Sequence, residues 1–236
     1  MDALCLFSCI GNHAIGLARA GIRTVAFVEK NPWRRARIAE SFPGVRIDED
    51  VRDFAPTIAN IIIGGPPCQR TSVAAAVHGK RTGESLWPHM RRAGLDMGTD
   101  WFVVEQPPGN KTWEAEVGND LASDGYHVAR IEFAACDVGA PYLRRRVFLV
   151  ACPSLPRLEI AWSAIPQAIA RTKRAADARG DWNADQLAAL PVDARSAGEM
   201  DGGERSRERR EWIEALGDSN PPHMAEVIGR AIMATV

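Results

Sequence analysis

One thiol, one carboxyl group and a pair of guanidinium groups stand where residue type and spacing could do chemistry. Cys68 closes the stretch IIIGGPPCQ (residues 61–69), in which three β-branched isoleucines run into two glycines and two prolines. Prolines fix φ and glycines carry no side chain, so such a turn can hold a sulfur exposed and immobile beyond a buried strand. A sulfur mounted in this way suits a nucleophile, given a lowered pKa or a transition state that accepts its charge. Glu105 lies in a second stretch of the same style, WFVVEQPPG. A carboxyl group beside a thiolate holds its proton, because desolvation and like charge both disfavour the anion. Glu105 is therefore expected to donate a hydrogen near neutral pH, the alternative being a glutamate that opens a solvated loop. Arg144 and Arg146, in PYLRRRV, offer planar donor arrays suited to a carbonyl oxygen or a phosphate, although an arginine triplet beside an apolar strand is more often a surface cluster. The remaining cysteines, Cys5, Cys9, Cys136 and Cys152, read as buried small hydrophobes.

The elements that must position these groups alternate along the first 150 or so residues. Strand-length apolar runs occur at Ala3–Ser8, Thr24–Glu29, Ile61–Ile63 and Trp101–Glu105, and helical patterns separate them. That alternation predicts an α/β fold, a mostly parallel sheet with helices on both faces. Val128–Ala134 and Arg146–Cys152 are expected to pair as an antiparallel edge hairpin. Helices are expected from His13 to Ala20 and from Asn31, with Asn31 as N-cap and Pro32 in the first turn. Beyond Pro153, 160–179 reads as helix, 191–210 as loop and 221–236 as an amphipathic helix. The expected organisation is a catalytic and cofactor-binding part (1–152), a short recognition segment (153–212) and a closing helix (213–236).

A ligand site of nucleotide type is expected at the first turn. In FSCIGNHAIGLARAG a strand opens into a helix, and backbone amides at a helix start can hold an anionic or polar ligand. Glu29 then ends the second strand, near the spacing of about twenty residues at which an acid receives ribose hydroxyls, though it could equally cap the next helix. Asp50 stands where a third strand should end and could contact an adenine amine, the alternative being an aspartate in a surface turn.

The chain has 236 residues, with 29 basic and 30 acidic side chains, so net charge points to no particular partner. Five cysteines with no paired ligand spacing argue against a disulfide scaffold or a zinc site. MDALCLFSCIG has neither the basic flank nor the length of a membrane segment, so a soluble cytoplasmic protein with no membrane partner is expected.

Taken together, these motifs resemble, in order, those of the cytosine-C5 DNA methyltransferases. LFSCIGNHAIGLARAG is similar to the family's cofactor loop, FVEKNP to its ribose-binding acid and DVRDF to its adenine-contacting aspartate. GGPPCQ resembles the nucleophile motif, GESLWPHMRRA the helix after it, VVEQPPG the glutamate motif, GAPYLRRRVFLVA the arginine motif and ALGDSNPPHMAEVIGRAI the closing segment. The resemblance implies a Rossmann-like S-adenosylmethionine-dependent fold acting on double-stranded DNA, as a compact, phage-like form with a monomer favoured. It implies that a flipped cytosine is attacked at C6 by Cys68, while Glu105 donates to N3 and Arg144 or Arg146 holds O2. It places Phe7, Ser8, Cys9, Ile10, Gly11, Glu29, Lys30, Asp50, Val51, Pro66, Asp218 and Ser219 at the cofactor, and Pro67, Gln69 and Ser72 at the substrate.

Several positions depart from the pattern. Cys9 and Asn12 replace glycines, Cys5 replaces an acid, and Asp218 replaces an asparagine, adding charge near the cofactor tail. Arg70, Thr71, Gln106 and Tyr142 also differ from the residues expected around the catalytic groups. These departures keep open a modified alkyl group on the cofactor, an RNA or nucleotide substrate, or a DNA-binding relative without activity. Trp162, Trp182 and Trp212 could stack on DNA, but core packing is the expected role of each.

Overall fold

The computed structural model describes residues 1–67, 85–182 and 204–236. The strands are β1 (Asp2–Leu6), β2 (Arg23–Val28), β3 (Arg46–Asp48), β4 (Ile61–Gly64), β5 (Trp101–Gln106), β6 (His127–Ala134) and β7 (Arg145–Cys152). They form one sheet in the order β3-β2-β1-β4-β5-β7-β6. The first five in this order run parallel, and β7 is antiparallel to both β5 and β6. This is the expected parallel sheet with its antiparallel edge hairpin.

The helices are α1 (Asn12–Arg19), α2 (Pro32–Ser41), α3 (Trp87–Met97), α4 (Lys111–Ser123), α5 (Leu155–Arg179), α6 (Glu204–Asp218) and α7 (Pro222–Met233). Strand pleating sorts the core between two layers. Ala3 and Cys5 of β1 share a cluster with Leu17 of α1, Ala161 of α5 and Ile228 of α7. Leu4 and Leu6 point the other way, into a cluster with Trp87 and Met90 of α3 and with Trp113 and Val117 of α4. Because both faces are covered, the central strands are apolar throughout instead of alternating.

Local chemistry sets the helix ends. The Asn31 side chain accepts hydrogen bonds from the amides of Trp33 and Arg34 at 2.8 and 3.2 Å, and Pro32 occupies the first turn, as its position in the sequence predicts. Such a cap contributes about 1 kcal/mol.

Four local expectations change. Phe7 and Ser8 lie beyond β1, with Phe7 at φ 53, because the chain turns there into the helix. Helix α5 begins at Leu155 instead of residue 160, with Pro156 in its first turn, where the missing N–H costs nothing. Residues 204–210 belong to α6 instead of a loop, as the helix formers of ERSRERREWIEAL outweigh the glycines before them. Cys136 is exposed, in a single 3₁₀ turn (Ala135–Val138) that points it away from the core. Among the described residues no helix is long and apolar enough to cross a membrane.

Candidate active site

Strand register brings the sequence-predicted groups to one edge of the sheet. Leu6 lies opposite both Val28 and Gly64, Gly64 opposite Val104, and Val28 opposite Asp48. The residues that follow these strands therefore emerge side by side at the carboxyl edge, where open α/β sheets hold their ligands. Glu105 pairs with Phe148 of the antiparallel β7, so Arg146 in that strand and Arg144 just before it arrive at the same edge.

Glu105 is 6 % exposed, and its Oε1 lies 2.8 Å from Nε of Arg146. The angle of that ion pair leaves Oε1 without a well-aligned hydrogen bond, an acceptor or proton-bearing position free for another group. Burial raises the pKa of the carboxyl group, while Arg146, the Asn220 side chain and Arg144 pull it back only in part. Burial is thus the main cause of the raised pKa expected from the sequence.

The glycines before Cys68 are fixed by close approach. A Cβ on Gly64 would sit 2.6 Å from the Leu6 carbonyl oxygen, and one on Gly65 would sit 2.7 Å from Oε2 of Glu105. Gly65 makes no such contact with core backbone. Gly65→Ala is therefore expected to turn the carboxyl group aside with thermal unfolding nearly unchanged, and to slow any reaction that uses this carboxyl group about 100-fold, because a shift near 1 Å is enough to spoil alignment. Steady-state kinetics beside a melting curve checks both halves. Pro66 is buried and Pro67 exposed. Cys68, Gln69 and Ser72, with Arg70 and Thr71, lie outside the described residues.

Arg144 does not share the place of Arg146. It donates to the carbonyl oxygens of Gly217, at 2.6 Å, and Ser219, so it is tied to the closing segment. Of the two arginines, Arg146 is the one beside Glu105.

Where β2 ends, both oxygens of Glu29 accept backbone N–H groups, Oε2 from Cys9 at 2.7 Å and Oε1 from Asn31 at 2.9 Å. Each carboxylate oxygen accepts more than one bond, so Glu29 retains capacity for a diol. Phe7 and Cys9 are held at φ 53 and 50, a strained backbone for residues with a Cβ, of the kind found at ligand sites. Ser8 is occupied in the turn itself, donating to the Cys5 carbonyl oxygen at 2.7 Å, and Ile10 is partly exposed beside Gly11. Asp50 and Phe54 border an open cleft of about 380 Å³; Asp50 is paired with Lys30 at 3.4 Å and with Arg52, while Val51 is buried. This set fits an S-adenosylmethionine-type ligand: an acid with free lone pairs for a ribose and an aspartate at an open cleft for an amine.

The departures from the glycine pattern have a visible use. The Cys9 thiol donates to the Ala215 carbonyl oxygen at 3.2 Å, and Asn12 Nδ2 donates to Ser219 Oγ and the Asn220 carbonyl oxygen at 3.1 and 2.9 Å. They fasten the closing segment to the turn between β1 and α1. The charge of Asp218 is matched by Arg34 at 2.6 Å, so it adds less net repulsion than the sequence implied; its side chain is 63 % exposed. Trp212 meets Trp33 edge-on at 5.0 Å, and Trp182 lies 4.3 Å from the His223 ring. Trp162 differs from the expected core role, being 49 % exposed. Sequence reading missed His13 and Asn220, which are buried beside Glu105 and Arg146. His13, a polar residue opening the apolar helix pattern of α1, was a weak signal, and nothing local sets Asn220 apart in GDSNPP.

Residues 1–182 match the model of the family described as C-5 cytosine-specific DNA methylase. The chain is 29 % identical over 170 residues to the type II methyltransferase M.DdeI of Desulfomicrobium norvegicum, covering 65 % of this chain and 41 % of that protein. It is 28 % identical over 162 residues to the type II methyltransferase M2.BsuMI of Bacillus subtilis, covering 64 % and 42 %. The chain thus spans less than half the length of both. Among solved structures, Spodoptera frugiperda DNMT2 superposes with a TM-score of 0.55 at 20 % identity, over 65 % of this chain and 50 % of that one. That likeness is one of fold.

Proposed function

Because the chain belongs to the C-5 cytosine-specific DNA methylase family, we propose that it methylates carbon 5 of a cytosine flipped out of double-stranded DNA. The observation that carries this reading is the buried Glu105–Arg146 pair, set at the sheet edge toward which Gly65-Pro66-Pro67 leads.

In this reading Cys68 attacks C6 of the flipped base, and the ring electrons move toward N3. Glu105 supplies the proton at N3, and burial, which raises its pKa, favours the protonated form that this role needs. Arg146 stands beside it to bind the O2 carbonyl oxygen, while Arg144 braces the closing segment. The attack makes C5 nucleophilic, and covalent catalysis divides one hard step into easier ones. Glu29 would hold the ribose and Asp50 the adenine of S-adenosylmethionine, with Phe7, Cys9, Gly11 and Pro66 around them. When bound, that cofactor supplies an electrophilic methyl group. Loss of the C5 proton then expels Cys68. Residues 1–152 and 213–236 form the catalytic part in this scheme, and recognition of bases falls to 153–212, of which α5 also serves the core.

The test is trapping. Incubation with S-adenosylmethionine and duplex DNA containing 5-fluorocytosine should give a denaturation-resistant complex with the wild type and none with Cys68→Ala. Hydrolysed unmodified DNA should yield 5-methylcytosine. Methylation without a trapped complex would remove the covalent route, and a heavier alkyl product would replace methyl with a modified group.

A further inference from the structure

His13 and Asn220 lie behind Glu105 and take no part in the scheme above. Asn220 is 2 % exposed, and its side chain faces the Glu105 carboxyl group, where it favours the ionised form. Its Nδ2 also lies 3.5 Å from Nε2 of His13, which is itself buried. An amide nitrogen carries two hydrogens, so Asn220 can serve both neighbours at once if the ring nitrogen is an acceptor. Burial, assisted by the charge of Arg146, lowers the His13 pKa to about 4, so the ring is neutral at working pH. A neutral ring with its lone pair at Nε2 selects the amide orientation that presents N–H, not C=O, to Glu105.

The backbone that carries Asn220 is held from two sides. Asn12 donates to its carbonyl oxygen at 2.9 Å, and Arg144 donates to the carbonyl oxygens of Gly217 and Ser219. These bonds link the cofactor loop and the arginine strand to one short turn, so the amide has little freedom to turn away.

We infer that His13 and Asn220 are positioning residues for Glu105: His13 orients the Asn220 amide, and the amide fixes one carboxyl oxygen as acceptor, leaving the other to carry the transferable proton. This rests on the proposed role of Glu105 as proton donor to the base. Glu105 is faced by Arg146 from β7, by Arg144 from the turn before it, by Asn220 from the closing turn and, through Asn220, by His13 from α1.

Infrared titration of the Glu105 carboxyl band, assigned by its loss in Glu105→Gln, tests the pair without requiring activity. Asn220→Leu removes an N–H that favours the anion, so the Glu105 pKa is expected to rise by about one unit. The alkaline limb of kcat should move up by the same amount, with kcat about tenfold lower and KM for cofactor little changed. His13→Phe should shift both in the same direction, and His13→Gln, which restores an acceptor, should return them toward wild type. Asn220→Ser serves if the leucine variant does not fold. A Glu105 titration unchanged in folded Asn220 variants overturns the inference, as does loss of cofactor binding with the limb in place. Failure of the underlying catalytic reading is separate: Glu105→Gln would then methylate DNA at the wild-type rate.

Discussion

Glu105→Gln is expected to lower kcat for methyl transfer by roughly 10²–10⁴-fold, the usual contribution of a positioned general acid. Glutamine keeps the shape of glutamate, an acceptor toward Arg146 and an N–H toward the base, so binding should survive. It lacks a transferable proton, and the lost rate therefore reports proton donation apart from packing. The sign of the pH dependence follows from the direction of the shift. Burial raises the pKa of Glu105, and the working form is the protonated one. Wild-type kcat should therefore fall tenfold per pH unit once pH rises above the folded-state pKa. In Glu105→Gln this alkaline limb should be absent, leaving a low rate. Single-turnover rates measured across the pH range in which the protein stays folded, with substrate saturating, distinguish the two profiles. Similar rates with the same limb in both proteins would remove Glu105 from proton transfer and leave it as a partner of Arg146.

The parts of this site that could be read from sequence are those fixed by local chemistry. IIIGG, WFVVE and TVAFVE are buried on both faces, so continuous apolarity marked them as central parallel strands, and Asn31-Pro32 marked a helix start. The edge residues followed, because the end of a parallel strand is also the mouth of its ligand site. What could not be read is pairing across distance. Nothing local to PYLRRRV tells Arg144, which spends its donors on carbonyl oxygens more than seventy residues away, from Arg146, which meets Glu105. His13 and Asn220 were hidden for the same reason, being separated by 207 residues and joined only when α7 docks on α1. Helix α6 was misread because its formers are polar and its glycine-rich approach suggested loop; its contacts with Cys9, Asn31, Trp33 and Arg34 are all remote in sequence.

That docking makes Gly16→Ala the substitution with the largest expected effect on stability. Gly16 lies in α1, where alanine would ordinarily favour the helix by about 1 kcal/mol. Here its Cβ would overlap the Pro222 carbonyl oxygen and lie 2.7 Å from the Glu226 amide nitrogen and 2.8 Å from the Ala225 Cβ. Two of these three are backbone atoms and cannot rotate away, so α7 must move as a whole. The reverse side of the contact is equally tight, since a Cβ on Gly229 of α7 would sit 2.8 Å from the Ala20 Cβ and 3.2 Å from Leu17 Cδ2. Overpacking costs about 1–3 kcal/mol where side chains can yield, and more is expected against backbone. The loss should lower Tm by about 10 °C, taking about 3 kcal/mol at 2–4 °C each. Moving α7 also carries off the turn at Ser219 and Asn220, so kcat should fall with stability. Gly118→Ala is the control, a helical glycine of α4 with nothing within 4 Å of an added Cβ; it should be neutral or slightly stabilising. If both alanine variants melt with the wild type, the close approach of α1 and α7 does not hold this edge of the sheet together.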